Sequence, residues 1–495
     1  MSEVPPVHVL FWFDVEDYLT PESDDALLGL LDCFERQGVQ GTWKVVAEKA
    51  RVLEERGRED VIRALQRQDI GYHTDTHSQH PVLAEYLRSA GWEDGVEEII
   101  RRERPGYEDT VRILGPSSTF GQAGGSWAPQ IYPFMRDAGI PLFMDEASHI
   151  GLDGAPFWYC NVPHINRLET RVTRMDFEAG EKGLRQGIGR FDEIHRDVVD
   201  DGGGLISIYY HPCEFATLAF WDGVNFARGQ QPPRPQWKPA PLRGAQQMAA
   251  GLELFDRYLG HIVAQPGVEV LTGRQLLNLL PDNAADRVFS IAELADMLTF
   301  SSGAIEHRFV DADTVLAPSE IFALVVEALL QIMLTITDEE TENSADTALD
   351  LTQIRVVVGQ DTPLGPVHRQ ATTLQPDAPL ASDQLLEAAI DVDRYLQHHG
   401  RMPDAIWLGS EAIAPADFLI TAADLLRKMA AAQRSRQVTL PSTIPLRTGH
   451  LDSERHVHDD VWNWVVFAKD FDAPGLIELA RLQAWTLKPA LLHYG

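Results

Sequence analysis

Residues 69–81 read DIGYHTDTHSQHP: a short strand-like run that passes straight into three histidines, His73, His77 and His80. The chain carries 17 histidines in 495 residues, so three in eight positions is a local concentration. A neutral imidazole nitrogen donates to metals at physiological pH. His73 and His77 are four apart, and on a helical turn they would project from one face and share an ion. The competing reading is a polar loop with incidental histidines. A third ligand from elsewhere has to decide between them.

Outward from this stretch, strand-like and helix-like segments alternate. Upstream, VHVLFWF (7–13) is an apolar, β-rich run. DDALLGLLDCFERQG (24–38) has helical period and stops at Gly38, a natural C-cap. GTWKVVAE (41–48) reads as a strand, and DVIRALQRQDIGYH (60–73) as a helix turning into a strand. Downstream, YPFMRDAGIPLFMD (132–145) repeats helix, Gly, strand, and GLISIYYH (204–211) is another apolar strand. Residues 252–280 close with helix, strand and helix. Alternation of this kind implies a mainly parallel sheet, either a barrel or a doubly wound sheet. Asp14, His73, Asp145 and His211 each fall at or just past the end of an apolar run. In a β/α barrel those carboxyl ends form one face, so four such placements point to a converging site.

The pattern changes after LLPDNAADRVF (279–289), which divides a domain over 1–282 from a mainly helical region over 283–495. There, LAPSEIFALVVEALL (316–330) and IAPADFLITAADLL (413–426) echo one another and suggest two related helical modules. The acidic stretch 337–347 is expected to be an exposed loop. ERHVHDDVWNW (454–464) pairs two histidines with two aspartates; it reads as a solvated helix start rather than a second metal site.

Composition narrows the partners. A net charge of −32 argues against nucleic acid and anionic membrane surfaces. Three cysteines, Cys33, Cys160 and Cys213, make neither a disulfide framework nor a zinc knuckle. The N-terminus carries acids where a signal peptide needs basic residues, and no window reaches the apolar length of a membrane span. A soluble, cytoplasmic protein is the expectation.

The third ligand comes from FDVEDY (13–18), with Asp14, Glu16 and Asp17 in four residues. Such a cluster can supply one metal ligand and one free base. Hydrolysis at a metal needs both, because the ion acidifies water and a carboxylate removes its proton. A mixed oxygen and nitrogen set suits Zn²⁺, with Co²⁺, Mn²⁺ or Ni²⁺ as alternatives.

Over about residues 5–280 the sequence resembles the polysaccharide deacetylase family, metal-dependent de-N-acetylases of carbohydrates. FWFDVEDY resembles the family's first motif, with Glu16 where Asp is usual. HTDTH (73–77) matches its His-Ser/Thr-x-x-His motif, and GQAGGSWAP (121–129) resembles its third motif without the Arg. ISIYYHP (206–212) matches the last motif through His211, and GVEVLTGRQLL (267–277) resembles the closing strand and helix. The resemblance implies a distorted (β/α) barrel of about seven strands. It implies Asp14 as general base, Glu16 as metal ligand beside His73 and His77 (Asp17 being the other candidate), and His211 as general acid. Asp145 would tether His211, Gln122 would stand where the missing Arg orients the base, and Trp127 and Tyr210 would wall a sugar ring or simply pack the barrel. The implied substrate is an N-acetylated sugar or glycan. Two alternatives remain open: an allantoinase-type amidohydrolase acting on a small amide, and a carbohydrate-binding protein with a degraded site.

Overall fold

The computed structural model describes residues 4–145, 149–166, 168, 171–341, 350–434, 438 and 440–493. β1 (Val7–Val15) lies inside a ten-stranded sheet, and all nine of its residues are buried. On one side it pairs in parallel with β2 (Thr42–Val45), followed in order by β3 (Asp69–Tyr72), β4 (Thr119–Phe120) and β5 (Leu142–Met144). Two strands follow β5 in the chain, β6 (Phe157–Tyr159) and β7 (Val162–Ile165). β7 continues the parallel path beside β5, and β6 pairs antiparallel with β7. On its other side β1 pairs with β8 (Gly204–Tyr210), and its early residues also pair with β9 (Val268–Leu271). The path from β7 through β1 to β8 is thus seven parallel strands. The chain just past β7 returns to β8, where Thr173 N–H donates to the Ser207 carbonyl (3.1 Å), so the two ends of the path meet. This is the expected distorted (β/α) barrel.

Side chains alternate across each strand. Val9, Phe11, Phe13 and Val15 of β1, Trp43 and Val45 of β2, and Ile206, Ile208 and Tyr210 of β8 form one apolar layer. Helices α1 (Glu22–Gln37) and α2 (Ala245–Val263) close that layer through Phe34 and Phe255. Leu10 and Trp12, with Leu205 and Tyr209, face the barrel interior with Leu142, Met144 and Ile165. The α1 helix ends at Gly38, whose φ of 69° suits a residue without a Cβ.

Past residue 282 the strand–helix alternation gives way to helices α3 (Pro318–Thr341), α4 (Ser382–His399), α5 (Pro415–Arg434) and α6 (Pro474–Gln483), joined by two-stranded ribbons. The echoed segments 316–330 and 413–426 each begin with a short strand that turns at a proline into a helix. Residues 342–347 of the acidic stretch lie outside the described residues. One apolar cluster contains Phe120, Trp127 and Phe157 of the barrel and Phe322, Phe418 and Trp485 of this region. β10 (Lys488–Pro489) pairs antiparallel with β6 and so joins the barrel sheet. The packing therefore runs across residue 282.

One expectation is corrected here. Pro318–Ile336 is long and apolar enough to cross a membrane, with hydropathy 1.9, and 56% of that window is buried inside the protein. Phe322 packs there against Phe418 and Trp485, as a core helix does. Among the described residues the three cysteines are free and buried.

Candidate metal and catalytic site

Inward alternation carries the chemistry to one place. After Leu10 and Trp12 the next inward residue of β1 is Asp14, and Glu16 follows at its end. On β8 the inward series is Leu205, Ser207, Tyr209 and then His211. Asp14, Glu16, His73, His77, Asp145, Tyr209 and His211 all line one cavity of about 390 Å³ at the carboxyl ends of the strands.

Glu16, His73 and His77 are buried, and one donor atom from each lies within 4.8 Å of the others. Nε2 of His77 is 2.6 Å from Glu16 Oε2, and Nε2 of His73 is 3.9 Å from it. Two ligands of one tetrahedral zinc stand about 3.4 Å apart at ordinary bond lengths, so the observed pair brackets that spacing. His73 Nδ1–H donates to the Gly121 carbonyl (3.0 Å), and His77 Nδ1 bonds Ser78 Oγ (2.6 Å). Both rings are thereby turned with Nε2 toward Glu16, as outer hydrogen bonds orient metal ligands. Glu16 Oε1 is buried without a hydrogen bond. Burial holds the His73 imidazole at about 3, keeping it neutral as a ligand must be. The residues present fit a divalent cation.

The histidines do not sit on a helix, in contrast to the helical-turn expectation. Residues 73–78 form a loop in which Thr74 (φ 65°) and His77 (φ 55°) occupy the left-handed region. That conformation costs a residue with a Cβ about 1–2 kcal/mol. Thr74 Oγ1 accepts the His77 N–H (3.2 Å) and steadies the turn. The alternative carboxylate, Asp17, is committed elsewhere: its Oδ1 accepts the N–H groups of Leu19 and Thr20 (3.0 Å each).

Asp14 is held by a residue that sequence reasoning missed. Lys44 Nζ lies 2.8 Å from Asp14 Oδ1, donates to the Met144 carbonyl (2.7 Å) and stands 3.5 Å from Asp145 Oδ2. Burial alone would raise the Asp14 carboxyl; His73, Lys44 and His211 outweigh it and hold it at about 2. Gln122 does not take this role. Its Nε2 donates to the Gly124 carbonyl (2.8 Å), leaving Oε1 buried without a hydrogen bond.

His211 is likewise tethered by a different carboxylate from the one expected. Its Nδ1 meets Glu214 Oε1 at 3.2 Å, on the turn following β8, while Asp145 pairs with Lys44. Nε2 of His211 bonds the Tyr209 hydroxyl (2.6 Å), which donates to Asp14 Oδ2 (3.1 Å). Burial lowers the His211 imidazole, but Glu16, Glu214 and Asp14 outweigh it and raise it to about 9.

The two expected sugar-binding aromatics lie in the core. Tyr210 points outward on its strand, and its hydroxyl donates to the Met175 carbonyl (2.9 Å). Trp127 stacks on His149 and donates to the Tyr132 hydroxyl (3.2 Å). The aromatics that do line the cavity are Tyr209, Phe220 and Trp464.

Trp464 comes from the stretch 454–464, which begins in a short 3₁₀ helix (Asp452–His456) with an exposed Arg455 and then runs on as an irregular strap. Gly151 N–H donates to His456 O and His458 N–H to His149 O at one end of it. At the other end Arg228 N–H and Gly229 N–H donate to Val465 O and Val466 O (2.9 Å each). Trp464 Nε1 donates to Asp222 Oδ2 (3.2 Å), and the indole meets His77 edge-on at 5.5 Å. A Cβ on Gly124 would overlap that indole, so glycine permits the close approach.

No protein-family model matches the chain, and no curated protein does. Solved structures similar to it include a protein from Mycobacterium smegmatis assigned to the polysaccharide deacetylases. That similarity has 15% identity over 56% of this chain and 91% of that one, with a TM-score of 0.36. The 4-alpha-glucanotransferase of Thermococcus litoralis is similar at 11% identity over 68% of this chain and 48% of its own, TM-score 0.38. The Puue allantoinase is similar at 12% identity over 54% and 88%, TM-score 0.35.

Proposed function

We propose that the chain is a metal-dependent hydrolase that removes an acetyl group from an N-acetylated amino sugar. The observation that carries this reading is the buried Glu16–His73–His77 cluster flanked by an anionic Asp14 and a cationic His211. Amide hydrolysis needs a base for water and an acid for the leaving nitrogen, and here the two carry opposite charge beside one ligand set.

Glu16, His73 and His77 would hold a divalent ion, zinc fitting this donor set best, and the ion would supply Lewis-acid chemistry at the amide carbonyl and at water. Asp14 accepts the proton of the attacking water. Lys44 fixes one Asp14 oxygen and the Tyr209 hydroxyl the other. His211 holds a proton on Nε2 for the departing amine, with Glu214 orienting the ring through Nδ1. Trp464, Phe220 and Val465 line the cavity and give it an apolar wall beside the reacting group.

The test is acetate release by the zinc-loaded chain from N-acetyl sugars, run beside cyclic ureides. Asp14→Asn should remove turnover. Ring opening without acetate would instead support an allantoinase-type reaction. Glycan retention without turnover would support a binding protein.

A further inference from the structure

A cavity of about 720 Å³ lies between the barrel and the region past residue 282, and among the described residues it shares no lining with the catalytic cavity. Pro141, just before β5, and Val162, the first residue of β7, place it at the amino ends of those strands. The catalytic cavity takes Asp145 from the other end of β5. The turn between β6 and β7 forms one wall. Cys160 (φ 50°) and Asn161 (φ 64°) both occupy the left-handed region there, which residues with a Cβ adopt at a cost. The turn aims the Asn161 side chain at the facing wall, where its Nδ2–H donates to the Thr362 carbonyl (2.8 Å) and its Oδ1 accepts the Thr362 N–H (2.9 Å). Asp361 and Leu364 flank Thr362 on that wall. Leu364 N–H donates to Gly400 O (3.0 Å) and Met402 N–H to Leu364 O (2.8 Å), which sets Arg401 beside them. Hydrogen bonds thus fix both walls, and the cavity is preformed, as small-molecule sites usually are.

We propose that this cavity binds an uncharged, mainly apolar ring compound that carries a carbonyl or hydroxyl oxygen. The walls select this class. Tyr132, Ile140, Val162 and Leu280 present buried apolar surface, and Trp158 a half-buried indole. Pro133, Pro141, Pro163 and Pro281 bring no backbone N–H. A polyhydroxylated ligand would leave most of its hydroxyl groups without partners against such walls. The charges on the lining are matched. Arg136 meets Asp361 (2.7 Å), Arg401 meets Glu93 (3.1 Å) and Asp282 meets Lys488 (2.8 Å). An ionic ligand would displace one of these partners, exchanging one ion pair for another and losing its own hydration. An uncharged ligand leaves every pair in place. A guanidinium has more N–H groups than one carboxylate contact uses, so Arg136 and Arg401 keep donors for an oxygen acceptor. Arg401 is held at the wall over the Trp92 ring, 5.3 Å from its centroid.

The two walls belong to different parts of the sequence, the barrel and the region past residue 282. A ligand of this kind therefore binds the assembled chain and stabilises it by mass action.

The experiment is fluorescence titration of the full-length protein with two naphthalene probes. Prodan is an uncharged naphthalene ketone, and anilinonaphthalene sulfonate is an anion of similar size. Prodan should bind saturably and in equimolar ratio, with blue-shifted emission and a Kd of about 1–50 µM. The sulfonate should bind about tenfold or more weakly. Leu364→Trp fills the cavity from a half-buried position on one wall, and Ile140→Trp fills it from the barrel side. Each should weaken prodan about tenfold or more, so misfolding of one variant does not decide the matter. Arg136→Met with Arg401→Met should weaken prodan about 3- to 10-fold and leave N-phenylnaphthylamine, which has no carbonyl, unchanged. No saturable prodan binding, a sulfonate that binds as tightly as prodan, or prodan affinity that survives both tryptophan variants overturns the proposal. Prodan affinity unchanged by the arginine substitutions overturns the assigned oxygen contact. None of these readings involves acetate release, so the outcome stands apart from the hydrolase reading.

Discussion

Lys44 Nζ lies 2.8 Å from Asp14 Oδ1, with the lysine side chain fully buried and the aspartate nearly so. Two buried charges of opposite sign hold the base in one orientation, and the Met144 carbonyl fixes the lysine from behind. Breaking a buried pair from one side leaves an uncompensated charge, which is more disruptive than losing a surface bridge.

Lys44→Met should lower kcat by about 10- to 100-fold, a part of what a positioned base contributes. Metal content should be retained, since Lys44 meets Asp14 and Asp145 rather than the histidines. Steady-state kinetics alongside metal analysis reads both quantities. An unchanged kcat would remove Lys44 from the mechanism.

His73→Ala with His77→Ala should abolish stoichiometric zinc, and Glu16→Gln should weaken it, while Asp14→Asn keeps it. Metal titration by competition with a chelator separates these cases. Zinc lost on Asp14→Asn and retained on Glu16→Gln would mean that the two carboxylates exchange roles.

The His211 imidazole is raised to about 9 by Glu16, Glu214 and Asp14 against the opposing effect of burial. Its acid form is present below that value, so turnover should hold on the neutral side and fall as pH rises through about 9. His211→Ala should slow the reaction about 10²- to 10⁴-fold. Glu214→Gln removes a negative partner and should move the alkaline limb to lower pH. A pH–rate profile that leaves this limb in place in the Glu214 variant would count against the assignment.

Glu103 is buried, accepts the Tyr72 hydroxyl (2.8 Å) and the Asp75 N–H (2.9 Å), and is raised to about 7 by burial. Its folded value exceeds its unfolded value, so the folded state binds the extra proton between about 4.5 and 7. That contribution is complete below the lower value and is lost as pH rises through the upper one. Glu103→Gln should therefore stabilise the protein at pH 8 relative to pH 5, by about 1–3 kcal/mol. Denaturant melts of both proteins at the two pH values check the sign. A variant equally destabilised at both would show that hydrogen bonding outweighs the charge.

Much of this was legible in the linear pattern. A mainly parallel sheet follows from strands alternating with helices, because a parallel pair needs a crossover. Alternation left a barrel and a doubly wound sheet both open, and the barrel was what the family resemblance implied. Convergence of Asp14, Glu16, His73, His77 and His211 follows from their places at strand ends. Lys44 was legible too, had alternation been applied: between Trp43 and Val45, which face the helices, residue 44 must face inward. The same rule puts Tyr209 and His211 on the site and turns Tyr210 into the core.

Local sequence thus determined the strands, their direction and the face on which the ligands gather, since these depend on periodicities of two and 3.6 residues within single segments. Only the tertiary structure decided which carboxylate meets His211 and that Lys44 takes up Asp14. It also decided that Trp464, from 387 residues beyond His77, lines the cavity and meets His77 edge-on. Those relationships depend on how loops fold back across the strand ends and on packing between distant segments, and no periodicity within a segment encodes them.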